Sequence, residues 1–313
     1  MKKVIGLLFT SFALVTLASC NNKTNTNDDY ELSIVCPSGA PIVGIASAVN
    51  NYEGKLNKEN IGVDASTLQG FFTATENKSD IIIAPINSGT KLYNLGKSTY
   101  KIAAVLTWGN TYFASQTEFN ITDIKNNGVT LFGKSTINSA VAEYILSEMD
   151  SNPETYNYLA DAAATKNELI DNSSSIVMTA EPMLSIAKTN LTAQGKSVTS
   201  YSIADLYKQV TQLDMPQAAV FINPDTIASH KNVLDSFLAK IDETDELCQT
   251  SPESVADDAI SLGLSAPKAV LAKAIPNCKV SYQKASDKKE EIDKLIEVAR
   301  TYFEKKPDTS FYY

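Results

Sequence analysis

Asp80-Ile81-Ile82-Ile83-Ala84 is too short for an ordinary helix and too continuously apolar for a strand with one wet face. It reads as a strand buried on both sides, which demands a covering layer above and below it. Pro85 closes the run, and a helical pattern follows to about residue 95. The same grammar recurs along the chain. Strands are expected over 32–36, 61–68, 80–84, 100–106 and 111–115, with helices to residue 50 and over 71–76. A second set follows, with strands over 128–132, 156–160, 176–179 and 198–203. Its helices are expected over 137–149, 166–171 and 183–189. The stretch 217–222 is strand-like, and helical patterns dominate from Asn223 to Phe303, broken at Pro252, Pro267 and Pro276. This alternation predicts an α/β fold with mostly parallel sheets flanked by helices. The two sets share a plan but no alignable repeat. Two lobes, 30–112 with 217–313 and 113–216, are the simplest packing, with crossings near 112–117 and 215–222.

The first 29 residues stand outside this pattern. Met1-Lys2-Lys3 is a charged start, Val4 to Leu17 is largely apolar, and Asn21 to Asp29 is wholly polar. The arrangement is that of a secretory signal, since a membrane span needs about 20 apolar residues. Leu17-Ala18-Ser19-Cys20 resembles the bacterial lipobox. The resemblance implies that residues 1–19 are removed as a lipoprotein signal peptide and that the Cys20 thiol is diacylated. Two acyl chains anchor a protein stably where one does not. Residues 20–29 then form a flexible tether, with an extended reach of roughly 30 Å.

Removing residues 1–19 from 313 leaves 294, enough for one large domain or two lobes. Losing Lys2 and Lys3 takes the formal charge from −9 to −11. An acidic chain lacks the clustered cations that nucleic acid requires. Arg300 is the only arginine and His230 the only histidine. A multi-imidazole zinc site is therefore impossible, and a Ser-His-Asp triad would have to use His230. Bidentate arginine capture of an anion is restricted to Arg300. Cys36, Cys248 and Cys278 form no CxxC pair. Cys36 reads as a buried small hydrophobe, while Cys248 and Cys278 are either bridged or two free thiols.

Asp80-Ile-Ile-Ile-Ala-Pro85, Lys91-Leu92-Tyr93-Asn94, Ala103-Ala104-Val105 and Trp108-Gly109-Asn110 resemble the first lobe of ABC-transporter solute-binding proteins. Glu181-Pro182 and the C-terminal Phe311-Tyr312-Tyr313 extend the likeness along the chain. The similarity is to the group related to sulfonate-binding and thiamine-pyrimidine-precursor-binding proteins. It implies the two-lobed type II periplasmic-binding-protein fold with a two-strand hinge.

In open α/β sheets, ligands bind outside the carboxyl ends of the strands, and in a two-lobed protein those ends face the cleft. Ser38, Gly39 and Ala40 follow the first strand and either offer backbone N–H groups to a ligand or simply start a helix. Ser135 and Thr136 hold the corresponding turn beside Gly133-Lys134, where nucleotide hydrolysis is not expected. Phe71 and Trp108 are core residues or stacking platforms for a flat heterocycle, which Asn87 and Asn110 would orient. Glu181 either complements a helix dipole or accepts ligand N–H groups. His230 and the acidic run 242–246 read as solvated helix surface.

These readings converge on a monomeric, extracytoplasmic receptor, lipid-anchored to the cell membrane at Cys20. It would deliver a small solute (a sulfonate, pyrimidine or related cofactor precursor) to ABC permease and ATPase subunits. No covalent chemistry, cofactor, metal or nucleic acid is expected. The alternatives are a surface sensor or adhesin on the same fold, or an enzyme acting on a small precursor.

Overall fold

The computed structural model describes residues 29–313. The expected signal peptide, Cys20 and the expected tether before Asp29 lie outside the described residues. The chain first lays down β1 (Glu31–Pro37), α1 (Ala40–Asn51), β2 (Lys55–Val63), α2 (Leu68–Thr73), β3 (Ile81–Pro85), α3 (Ile86–Asn94) and β4 (Lys101–Thr107). Next come β5 (Thr111–Ser115), α4 (Ile124–Asn127), β6 (Val129–Phe132), α5 (Ile137–Glu148), β7 (Tyr156–Leu159) and α6 (Ala162–Asp171). They are followed by β8 (Val177–Ala180), α7 (Met183–Ala193), β9 (Thr199–Ser202) and α8 (Ile203–Thr211). The remainder is β10 (Ala218–Ile222), α9 (Pro224–Ser229), α10 (Lys231–Thr250), α11 (Pro252–Ser261), α12 (Lys268–Ala274), β11 (Val280–Lys284) and α13 (Lys289–Val298).

Two sheets result, a six-stranded one in the order β11-β4-β10-β3-β1-β2 and a five-stranded one in the order β7-β6-β8-β5-β9. Their side-chain alternation explains the continuous apolar runs. On β3, Ile81 and Ile83 pack under α1, α10, α11 and α12 in one core, which also holds Ile42, Phe237 and Leu271. Ile82 and Ala84 point the other way, into a core shared with Phe72, Phe221, Ile292 and Phe311. That second core continues into the other sheet through Phe113, Leu131, Val141 and Ile145. On β5, Tyr112 and Ala114 face the opposite side, packing with Leu169, Leu184 and Leu191 of α6 and α7. Both sheets are thus covered on both faces, as the run 80–84 requires.

Asp80 fixes the amino end of β3. Its buried carboxylate accepts from the Ser33 N–H at 2.7 Å, the Ser33 hydroxyl at 2.8 Å and the Tyr30 hydroxyl at 2.7 Å. The Thr226 hydroxyl of α9 donates to it as well.

The structure corrects several sequence expectations. The second strand lies at Lys55–Val63, upstream of 61–68, because an edge strand pairing through its backbone tolerates Asn57, Lys58 and Glu59. Beyond it the Asp64 side chain accepts from the Ser66 N–H and opens a 3-10 turn. The next helix begins at Leu68, so that Leu68 and Phe72, one turn apart, are buried together. β11 interrupts the stretch read as helical, pairing antiparallel with β4. The sheets are mixed: β1–β2, β1–β3, β6–β7 and β6–β8 are parallel, and every pair involving β5, β10 or β11 is antiparallel. The chain leaves the first sheet at 108–110 and returns at 212–217, a few residues before the expected crossings.

Candidate functional site

The strand registers define the site. Pro85 and Thr107 both pair with Ala218, and Thr107 also pairs with Val280, so the carboxyl ends of β3 and β4 share one edge with the starts of β10 and β11. In the second sheet Phe132 pairs with Leu159 and Thr111 with Ala180, which gathers the ends of β6, β7 and β8 beside the start of β5. Both crossings run between these edges, so the two sets of carboxyl ends face each other.

On the first edge, Ser38 is exposed and its N–H donates to the Val63 carbonyl at 3.1 Å. Gly39, at φ 106°, precedes α1 with no side-chain cap, and Ala40 is buried. Pro85 likewise starts α3 without a side-chain cap. The Ile86 N–H there donates to the Gln217 carbonyl at 2.9 Å. Asn87 follows, and its Oδ1 is buried with no hydrogen-bond partner.

On the facing edge, Ser135 and Thr136 are exposed, and Thr136 exchanges capping hydrogen bonds with Ser139 at the start of α5. The segment Gly128-Val-Thr-Leu-Phe-Gly133-Lys134-Ser135 carries the full Gly-x4-Gly-Lys-Ser spacing of a phosphate loop. The structure shows why the match is empty. A phosphate loop lies between strand and helix, whereas here Val129–Phe132 is strand β6 itself. Lys134 sits with its Nζ 5.5 Å from the centroid of the Tyr158 ring.

Asn110 is tied to both Gln217 and Glu181. Its N–H donates to Gln217 Oε1 at 3.1 Å, its side-chain amide donates to the Glu181 carbonyl at 3.1 Å, and its own carbonyl accepts the Glu181 N–H at 2.9 Å. Gln217 Nε2 in turn donates to Asn138 Oδ1 on α5 at 3.3 Å. Glu181 is buried, and its carboxylate turns to its own helix, accepting the Ser185 N–H at 3.1 Å and the Ser185 hydroxyl at 3.0 Å. Burial raises its pKa, against the lowering pull of those bonds and of Lys188. The helix-start reading of Glu181 is the one this geometry matches.

Two aromatic residues complete the set, Phe71 back in the core and Trp108 directly after Thr107 on the first edge. Phe71 packs on α2 against the shared core. Trp108 is held to β11, its N–H donating to the Lys279 carbonyl at 2.9 Å and its indole to the Ser281 carbonyl at 2.8 Å. Its ring borders a cavity of about 470 Å³ with Asp214, Lys279 and Lys288. Sequence reasoning missed Gln217 and Asn138, which join the two edges. The signal for Gln217 was a lone amide between Pro216 and an apolar strand.

Solved structures carry the same architecture. The chain is similar to an ABC transporter protein from Parabacteroides distasonis, with a TM-score of 0.72 and 19% identity, covering 90% of this chain and 98% of that one. It is similar to the periplasmic aliphatic sulphonate binding protein SsuA of Escherichia coli, with a TM-score of 0.65 and 13% identity, covering 88% and 87%. A Candida albicans gene product described as having the generic periplasmic binding protein structural fold gives a TM-score of 0.56 and 11% identity, covering 90% and 93%. No family model matches the chain, and no curated protein matches it in sequence. The fold is therefore that of the periplasmic binding proteins, as the sequence resemblance implied.

Proposed function

We propose that this chain is an extracytoplasmic solute-binding lipoprotein that delivers a small molecule to an ABC importer. The observation that carries the reading is the pair of facing strand-end edges, bridged by the two crossings and lined by polar groups from both sides. Asn87 Oδ1, buried without a partner, is an acceptor suited to a ligand N–H. Two helix starts without side-chain caps, at Gly39 and Pro85, direct their positive ends at the same edge and suit a polar or negative group, with the Ile42 and Ile86 N–H groups already paired. The similar proteins of known structure include a sulphonate-binding protein and an ABC transporter protein, which supports the receptor reading over an enzyme.

On this reading residues 30–112 with 217–313 form one lobe and 113–216 the other. Ser38, Gly39, Ala40, Asn87, Asn110, Ser135 and Thr136 contact the solute, with Phe71, Trp108 and Glu181 framing it. Closure is driven by the ligand's higher affinity for the closed arrangement. The protein works as a monomer, held at the membrane by acylated Cys20, and meets the permease and ATPase there. The solute is a sulfonate, a pyrimidine or a related cofactor precursor.

Thermal melting against a panel of such compounds tests this. A ligand present at about 100 times its Kd adds about 2.7 kcal/mol to the folded state. Asn87→Ala should abolish the resulting shift while leaving the unliganded melting temperature within a few degrees. No shift with any compound, together with no small molecule co-purifying with the native protein, would sink the proposal.

A further inference from the structure

Away from the strand-end edges, one side of α5 faces the 3-10 turn Arg300–Tyr302 that follows α13. A groove of about 590 Å³ runs between them. Its size falls within the roughly 300–1,000 Å³ typical of small-molecule sites. Tyr144, Tyr156 and Tyr302 line it together with Glu143 and Asn152, and all three tyrosines are half-buried, with rings neither closed off nor fully wet.

The rings and the carboxylate are held in place. The Tyr156 hydroxyl donates to Asn152 Oδ1 at 2.8 Å, and the Tyr158 hydroxyl donates to Glu143 Oε1 at 2.7 Å. The Tyr156 and Tyr158 centroids are 6.3 Å apart. Among the described residues, no ion pair includes Glu143. Its charge nevertheless reaches Tyr156 and Tyr302. Burial and then Glu143 push the Tyr156 hydroxyl up to about 12, and the same two causes raise Tyr302, opposed by Lys91. Beside the groove, the Tyr158 ring carries a cation near its face, Lys134 Nζ lying 5.5 Å from the centroid.

We infer that this tyrosine-lined groove is a binding site for an organic cation, an alkylammonium seated on the ring faces with Glu143 as its counter-ion. Electron-rich ring faces attract a cation, and attract it more when the site is partly desolvated. A neighbouring carboxylate adds Coulomb energy that a neutral ligand of the same shape cannot gain. An ammonium with methyl groups also buries apolar surface against the rings, which a bare metal cation does not. The site does not depend on the solute cleft proposed above. Its occupant would touch both α5 and the C-terminal turn and so tie the two sheets' surroundings together.

Calorimetric titration of the purified protein with choline, and in parallel with its neutral carbon isostere, tests the inference. Choline should bind saturably and the isostere at least about tenfold more weakly. Glu143→Gln should weaken choline binding about tenfold or more, and Tyr302→Ala should weaken it several-fold, with Glu148→Gln as the unaffected neighbour on the same helix. Melting temperatures of the variants confirm that each is folded, and Glu143→Gln carries the test if Tyr302→Ala is not. The inference is overturned by equal binding of the two compounds or by choline binding that survives Glu143→Gln. It is equally overturned if no saturable heat appears at concentrations on the order of tens of millimolar.

Discussion

Gln217 Oε1 accepts the backbone N–H of Asn110 at 3.1 Å, so a single side chain in the returning crossing holds the outgoing one. Because Gln217 Nε2 also reaches Asn138 on α5, the amide spans the junction between the two sheets. Asn110 then passes the connection on to Glu181 at the end of β8. Four residues from distant parts of the chain are thereby linked across the junction.

Gln217→Ala leaves the Asn110 N–H, on a buried residue, without its acceptor. The expected loss is about 1–3 kcal/mol, the desolvation cost of one such group. Urea denaturation should show a lower midpoint with an unchanged slope. Gln217→Glu keeps an acceptor for Asn110 but loses the donor to Asn138, and should fall between the variant and the parent.

Gly109, at φ 78°, lies in the outgoing crossing, and a Cβ there would meet Ala204 Cβ at 2.7 Å and Met215 Sδ at 3.2 Å. Gly109→Ala combines a disfavoured backbone with a wedge against α8, at an expected cost of about 3 kcal/mol or more. Gly128 also has positive φ, at 75°, but a Cβ there would meet nothing within 4 Å. With ψ at 174° as well, Gly128→Ala should cost about 1–3 kcal/mol from backbone strain alone. Chemical denaturation of the two variants separates strain from overlap.

Glu181 has its pKa raised in the folded chain, chiefly by burial. The fold therefore holds this proton more tightly than the unfolded chain does. The associated stability is fully present below the ordinary glutamate pKa and is lost as pH rises through the raised value. Glu181→Gln should remove that component, so that the variant gains on the parent as pH rises across this window. Denaturation curves on both sides of the window check this, and a constant difference between the two proteins would contradict it.

Cys36, Cys248 and Cys278 are free and buried, and burial pushes each thiol up, that of Cys248 to about 12. Thiolate is the reactive form, so native protein should resist iodoacetamide at all three. After unfolding without reductant, all three should be alkylated, as read by intact mass. Alkylation of Cys36 alone would reveal a bridge between the other two.

The parts of the fold legible in the sequence are those where burial is written into residue type. The run at β3 is legible because both its faces are covered, and α1 because its apolar positions and Pro41 mark its start. β2 and β11 were misplaced or missed since they are edge strands whose polar side chains face water while their backbones do the pairing. α8 was overlooked because it follows β9 without a loop, its start set by Ser202 accepting the Asp205 N–H. At the candidate site, the placement of Asn87 and Asn110 just beyond strand ends was legible, as amides following apolar runs. That Trp108 is fastened to Ser281 was not, because β11, which supplies that carbonyl, was itself unseen.

The last strand and the final residues belong to the first sheet: β11 pairs with β4, and the Tyr313 N–H donates to the Ile102 carbonyl at 2.9 Å. During biosynthesis β4 thus waits for both of its sheet partners, β10 and β11, until after the whole second sheet has been made. The insert that builds the second sheet emerges complete while its host is still missing pieces. The earlier-made half of the molecule is therefore the later one to close.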